Sequence, residues 1–204
     1  MSLPMKVIEE NLQTELLHEA LTCLVNQEQN SSYASLGELA IKTRSESGIR
    51  AQAFKLMLKS QPEVYLAKFM YIIDNRMMSS DDRISMIDAI HILPMGEVTT
   101  FLLKLFRNSR SPALRAYTLE YLWKRYELVP SEELKFELTN LTKKGLQSSS
   151  SELVSVSLEV AKMSIVSKEL LALVQRHVHD LRASAWDEPI STLASRTREV
   201  LLQN

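Results

Sequence analysis

Apolar residues recur at helical spacing along most of the chain. Over residues 5–29 they follow one another at steps of three and four, with glutamate and glutamine between them. This pattern predicts an N-terminal amphipathic helix within residues 1–29. A polar break at residues 30–33 follows, and a short helix is expected over residues 35–43.

Prolines mark the starts of further helices. Each of five prolines lies where an apolar period could begin, a position at which the missing N–H would have no intrahelical partner in any case. Short, serine-rich connections predict that neighbouring helices run antiparallel. The prolines are Pro62, Pro94, Pro112, Pro130 and Pro189, and the other helices are predicted over residues 48–60, 81–93, 151–165 and 167–180.

The composition agrees with an all-α protein. The 204 residues include 4 glycines and 6 prolines, where average usage would give roughly fourteen and ten. So few turn residues disfavour hairpins, and four widely separated glycines cannot form a phosphate-binding loop. With 45% hydrophobic residues and a formal net charge of -1, the chain has the composition of a soluble globular protein.

Four of the predicted helices share a pattern. Aligned without gaps, three of them place an arginine at one position, and all four place an apolar residue four positions later with a charged residue directly after it. The arginines are Arg50, Arg83 and Arg115, and Val154 takes their place in the fourth helix. The spacing is 33, 32 and then 39 residues, and the serine run at 148–151 can accommodate the longer interval.

These units resemble HEAT repeats, which are helix pairs with a proline near the start of the first helix and an arginine opening the second. The resemblance covers about residues 36–165 and implies an α-α superhelix of about five helix pairs. Residues 1–204 are then expected to form a single all-helical domain, with HEAT-like pairs over residues 35–165 and a C-terminal helical cap over residues 166–204. An irregular helical bundle is the alternative.

The cysteine content and the apolar stretches bear on the compartment. A single cysteine, Cys23, cannot form an internal disulfide, and no N-terminal run resembles a signal peptide. The most apolar stretches, such as residues 84–95, are shorter than the ~20 residues of a spanning helix. We therefore expect a cytoplasmic protein in a reducing compartment, without membrane insertion.

No residue cluster in the sequence indicates catalysis or metal binding. His177 and His179 point to different sides of a helix, so we expect solvated side chains at a helix end. His91 has no companion nucleophile or acid and is expected to pack or to cap a helix, and Cys23 is expected to be buried. The sequence predicts no catalytic, cofactor-binding or metal-binding residue, and hence a protein that is not an enzyme.

Charge is distributed unevenly. Residues 1–38 contain one base and six acids, a net charge of -5, whereas residues 104–125 contain six bases and one acid, a net charge of +5. Aromatic residues are interleaved with the basic segment, a combination found at interface hot spots and at base-stacking platforms. The alternative is that these aromatic side chains face the core. They are Tyr117, Tyr121, Trp123 and Tyr126.

These features favour a non-enzymatic helical-repeat scaffold or adaptor that binds a protein partner, for instance an acidic peptide or surface, along its second helices. One basic segment is a small electrostatic footprint for a nucleic acid, so a nucleic-acid-binding protein similar to the HEAT-type DNA glycosylases is the alternative. A regulatory subunit or chaperone whose acidic residues 1–29 cover a basic partner is a further one. The identity of the partner and the oligomeric state stay open. The residues predicted to contact the partner are Lys55, Lys59, Asp88, Arg107, Arg110, Arg115, Trp123, Lys124 and Glu159.

Overall fold

The computed structural model describes residues 54, 55, 57, 58, 61–74, 80–91, 93 and 96–203. The chain divides into two compact units, residues 1–93 and residues 94–204. In the described residues every regular element is an α-helix, and an isolated β-bridge joins Ala183 to Pro189. The predicted all-α class is confirmed. The helices are α1 (Pro62–Asp74), α2 (Ser80–Ile90), α3 (Gly96–Asn108), α4 (Pro112–Leu128), α5 (Glu132–Leu146), α6 (Ser151–Ala161), α7 (Lys168–Arg176) and α8 (Ile190–Gln203).

The predicted helices from residue 62 onward agree with these bounds to within a few residues. Two of them begin at their proline, α1 at Pro62 and α4 at Pro112. Helix α6 ends at Ala161 and not near residue 165, because the N–H groups of Met163 and Ser164 turn back to the carbonyls of Val160 and Ala161. The helices predicted within residues 1–43, and most of the one predicted over residues 48–60, lie outside the described residues.

In the first unit, α1 packs on α2. The ring of Phe69 on α1 meets the edge of the Phe54 ring, with centroids 4.7 Å apart. Arg83 on α2 donates its Nε–H to the carbonyl of Ile73 at 2.6 Å. This bond satisfies a carbonyl in the last turn of α1, where no intrahelical donor is left.

In the second unit, four helices begin with the same serine cap. In each, the serine Oγ accepts a hydrogen bond from the N–H of a leucine three residues later, which satisfies one of the four donors that a helix start leaves unpaired. Three of the four leucines are buried, so one short motif sets both the helix start and its first core contact. The pairs are Ser111 with Leu114 at 3.3 Å, Ser131 with Leu134 at 3.1 Å, Ser150 with Leu153 at 3.4 Å and Ser167 with Leu170 at 3.2 Å.

The helices of this unit pack as successive pairs. Helix α3 packs on α4, α5 on α6, and α7 on α8, while α4, α6 and α8 also contact one another in that order. Helix α5 contacts both α4 and α7. Helices α3 and α5, in contrast, are not closely packed against each other.

Helix α6 is the centre of the unit. It contacts α4, α5 and α8, and eight of its 11 residues are buried. Its buried serines bond back within the helix: Ser157 Oγ donates to the carbonyl of Leu153 at 2.6 Å. Gly145 on α5 faces Ser157, and a Cβ at Gly145 would overlap Ser157 Oγ and lie 3.1 Å from its Cβ. The close approach of α5 to α6 therefore requires glycine at this position.

The connection between α7 and α8 is held by a polar network around Asp180. Arg182 donates from Nε and Nη2 to its carboxylate, at 2.9 Å to Oδ1 and 2.6 Å to Oδ2, and His177 Nδ1 lies 3.2 Å from Oδ2. Arg182 Nη1 also donates to the carbonyl of Ser149 at 2.6 Å, and His177 Nε2 lies 2.8 Å from the carbonyl of Leu146. The connection is thereby tied to the end of α5. The hydrogen bonds from Arg182 hold the pKa of Asp180 well below its usual range.

Gly145→Ala should destabilise the second unit by about 1–3 kcal/mol, because the overlap with Ser157 outweighs the better helix propensity of alanine. In a Ser157→Ala background the cost should fall, since the overlapping oxygen is gone. Gly96→Ala is the matched control, because a Cβ there meets nothing within 4 Å. Urea denaturation gives the free energy of unfolding of Gly145→Ala, Ser157→Ala, the double variant and Gly96→Ala. An equal loss of stability on replacing either glycine would contradict the packing described.

Asp180→Asn should lower the free energy of unfolding by about 1–3 kcal/mol at pH 7, because the charged hydrogen bonds are lost. A carboxyl with a lowered folded-state pKa stabilises the fold above its unfolded pKa, and this contribution is lost as the pH falls below about 4. The difference in free energy of unfolding between wild type and Asp180→Asn should therefore shrink as the pH falls below about 5. The control is Asp187→Asn in the same connection, where φ is 60° and asparagine is well tolerated. If that difference in free energy of unfolding stays constant with pH, the Asp180 carboxylate does not have the role assigned to it.

Candidate functional site

Two of the arginines predicted to contact a partner are engaged within the second unit. Arg107 on α3 forms an ion pair with Glu137 on α5. Arg115 on α4 lies over the ring of Phe106, 4.7 Å from its centroid. Arg110, between α3 and α4, is exposed and has no ion pair with any residue in the described part of the chain. The basic segment thus presents less open positive charge than its composition indicates.

Trp123 is a core residue, so its assignment to a partner-binding surface is wrong. Its side chain is 0% exposed, and its indole Nε1–H donates to Thr142 Oγ1 on α5 at 3.1 Å. Tyr126 meets it edge-on, with centroids 5.6 Å apart. The helix period directs this side chain inward, and the buried hydroxyl supplies the partner that a buried indole needs. Tyr117 is the aromatic residue of the segment that is exposed.

The other predicted contact residues form short-range ion pairs where the structure describes them. Such pairs between partly exposed side chains contribute little stability and reduce the net charge that a partner would meet. Lys59 lies outside the described residues. The pairs are Lys55 with Asp88, Lys124 with Glu120 at 2.7 Å, and Glu159 with Lys162 at 2.5 Å.

The second helices of the successive pairs, α4, α6 and α8, offer little continuous exposed surface. Helix α6 has no fully exposed side chain, and its partly exposed ones are confined to Ser151, Glu152 and Glu159. Helix α6 therefore interrupts any exposed binding surface that would run from α4 to α8.

An open cleft of about 350 Å³ lies instead between α3 and α5, where these helices separate. The C-terminal end of α4 and the turn into α5 complete its lining. The ion pair of Arg107 with Glu137 joins the two helices at one side of the cleft. The lining residues are Gly96, Thr99, Thr100 and Leu103 of α3, Arg125 of α4, Val129 and Ser131 of the turn, and Glu133, Leu134 and Glu137 of α5.

Arg125 is the buried charge of the cleft. It is 2% exposed, and its Nε–H donates to Thr99 Oγ1 at 3.0 Å. Burial lowers the pKa of its guanidinium, because the charged form is separated from water.

The charges around the cleft balance. Glu137 is paired with Arg107, and the lining also contains Glu133 and Arg125, which have opposite charges. Apolar contact comes from Leu103 and Leu134, which are half-buried, and from Val129, which is exposed. A cleft with apolar walls and a few fixed polar groups is the general form of a binding site for a small molecule or a peptide side chain.

Sequence reasoning missed Arg125 and the cleft, although a signal for Arg125 was present. Leu114, Thr118, Leu122 and Arg125 follow at helical steps and are all buried. A cation in a core-facing stripe indicates a functional or structural charge. The cleft itself depends on the spacing of α3 and α5, which no local pattern encodes.

Two of the described histidines, His91 and His177, lie at the ends of helices. His91 Nδ1 lies 2.9 Å from the carbonyl of Asp88, which confirms the capping prediction. His177 is at a helix end, as expected, but it is half-buried, and its ring nitrogens lie within hydrogen-bond distance of Asp180 Oδ2 and the carbonyl of Leu146, so its prediction as a solvated residue is wrong. His179 is exposed. Within the described ranges no cluster of three or more potential metal ligands occurs.

Thr99→Val should lower the free energy of unfolding by about 1.5–3 kcal/mol, because the charged hydrogen bond from Arg125 loses its acceptor. Thr100→Val is the matched control on the same helix, since Thr100 Oγ1 donates to the carbonyl of Gly96 in the exposed first turn. Its effect should stay within about 0.5 kcal/mol. Urea denaturation followed by tryptophan fluorescence gives both values. Equal values would show that the Arg125 contact contributes nothing.

Comparison with known proteins finds no match: no family model, no curated protein and no solved structure aligns with the chain. No helix within the described part of the chain is long and apolar enough to cross a membrane. The resemblance to HEAT repeats therefore rests on the sequence pattern alone.

Proposed function

We propose that the protein is a non-enzymatic helical-repeat protein that binds a segment of a protein partner in the cleft between α3 and α5. The observation that carries this proposal is the cleft itself: an opening of about 350 Å³ with apolar walls and one buried guanidinium. That volume lies at the lower end of the range of ligand sites and suits a few side chains of a peptide.

The packing of the second unit supports a HEAT-like superhelix as its architecture. In stacked helix pairs each pair contacts the next through equivalent helices. The row of α4, α6 and α8 and the contact of α5 with α7 follow that rule. Helices α3 and α5 do not follow that rule, because they are not closely packed against each other. The cleft opens where they separate, and such a cleft suits a binding site.

The cleft is better suited to a partner than the second-helix surface. Helix α6 is almost entirely buried, and Lys124 and Glu159 are each paired with a neighbour. Arg110 is the predicted contact residue that stays exposed without an ion pair to the described residues. Nucleic-acid binding has less support, because Arg107 is paired, Arg115 stacks on Phe106 and Arg125 is buried.

The test is a selection of short random peptides, displayed on phage, against the purified chain and two variants at Gly96. Gly96→Phe places a ring into the cleft from a position where a Cβ meets nothing within 4 Å, so the block needs no change in the core. Gly96→Ala is the matched control. Peptides enriched on the wild-type chain should bind Gly96→Ala equally and Gly96→Phe at least about tenfold more weakly.

Two outcomes would overturn the proposal. One is that no peptide is enriched on the wild-type chain. The other is that enriched peptides bind Gly96→Phe as tightly as they bind Gly96→Ala, which would place their site elsewhere. Thermal unfolding of both variants shows that each is folded.

A further inference from the structure

We infer that the peptide segment bound in the cleft carries a lysine or arginine that pairs with Glu133, next to an apolar side chain that packs on Leu103 and Leu134. This inference rests on the proposed function and names the chemistry of the partner. It concerns one polar contact, the carboxylate of Glu133, and one class of occupant, a protein segment with a basic residue beside its apolar anchor.

Most polar side chains of the lining are already engaged within the chain. Each of them has a hydrogen-bond or ion-pair partner, and Arg125 makes a further interaction besides its bond to Thr99. These groups therefore form the wall of the cleft and are not open to a ligand's charge. The pairs are Thr99 with Arg125 at 3.0 Å, Thr100 with the carbonyl of Gly96 at 3.2 Å, Ser131 with the N–H of Leu134 at 3.1 Å, and Glu137 with Arg107.

Glu133 differs from the other polar side chains of the lining. It is exposed, and its carboxylate forms no ion pair or hydrogen bond with any residue in the described part of the chain. The other charged side chains at the cleft are engaged, so the open charge that a ligand meets there is negative.

The start of α5 does not cancel this charge. Glu132 and Glu133 are both exposed in its first turn and together carry two negative charges, against roughly half a positive charge from the helix dipole. A cation beside Glu133 is therefore attracted, whereas a carboxylate or a phosphate there is repelled. An ammonium or a guanidinium also supplies the N–H donors that a carboxylate accepts.

This occupant differs in charge from the acidic partner that the basic segment favours. Residues 104–125 contain six bases, but Arg107 is paired with Glu137 and Arg115 lies over the ring of Phe106. The composition of the segment therefore does not set the charge at the cleft. The exposed first turn of α5 sets it instead, and that turn is acidic.

The walls select the neighbour of the basic residue. Leu103 and Leu134 line the cleft from different helices and are half-buried, and Val129 adds exposed apolar surface at the turn. A leucine- or phenylalanine-sized side chain would cover these atoms, and its burial supplies most of the affinity. A pair between exposed charges adds little affinity, but it fixes which residue lies beside the anchor.

The experiment uses synthetic versions of the displayed peptides that bind Gly96→Ala and not Gly96→Phe. In each, a lysine is replaced by norleucine or an arginine by citrulline, which removes the charge and keeps the length of the side chain. The neutral version should bind the wild-type chain about three- to fivefold more weakly, as expected for a pair between exposed charges. Its affinity should also lose most of its dependence on salt.

On the side of the protein, Glu133→Gln should weaken the basic peptides by the same factor and leave their neutral versions unchanged, because both substitutions remove the same pair. Glu132→Gln is the matched control. It removes an exposed carboxylate from the same turn of α5, but Glu132 does not line the cleft. Its effect on the basic peptides should stay below about twofold, the weak influence of a charge without direct contact.

Three results would overturn the inference and leave the proposed function standing. The first is that the cleft-binding peptides carry no lysine or arginine. The second is that Glu133→Gln binds the basic peptides as tightly as the wild-type chain does. The third is an equal loss of affinity in Glu132→Gln and Glu133→Gln, which would indicate general attraction and no contact. A failure to enrich any cleft-binding peptide would overturn both the inference and the proposed function.

Discussion

The second unit depends on one close packing constraint, the burial of α6 among α4, α5 and α8. A helix can be surrounded in this way only if small residues line some of its contacts. Gly145 lets α5 approach the serine at position 157, and Ser155 and Ser157 bond their hydroxyls back to their own helix. With these groups satisfied internally, polar side chains are buried at little cost. Helices α4 and α5 are thereby held as a pair, and the position of α3 relative to α5 follows from its packing on α4.

The cleft is a consequence of that arrangement. Helix α4 contacts α3 on one side and α5 on the other, and where its last turn ends the two neighbours diverge. Arg125 in that last turn is too far inward for full solvation, and Thr99 on α3 holds it in place.

Much of the fold could be predicted from the sequence because its information is local. Proline positions and apolar spacing predicted the helices from residue 62 onward. The first residues of α4, α5, α6 and α7 could have been predicted more accurately from the serine caps at positions 111, 131, 150 and 167. The turn that ends α6 at Ala161 was missed, because residues up to 165 keep an apolar pattern that a turn also accommodates. Trp123 was placed on the surface because aromatic residues interleaved with a basic segment are typical of interfaces, although its side chain is buried in the core. The cleft depends on distances between helices that are remote in sequence, and these are set by packing and not by any motif.

The most direct test of a peptide-binding cleft is a methyl and amide chemical-shift titration of the isotope-labelled chain with an enriched peptide. The account predicts that the perturbed signals cluster at Thr99, Leu103, Val129 and Leu134, which line the cleft. Perturbations concentrated instead around Tyr117 and Lys124 on α4, or on α7 and α8, would contradict it.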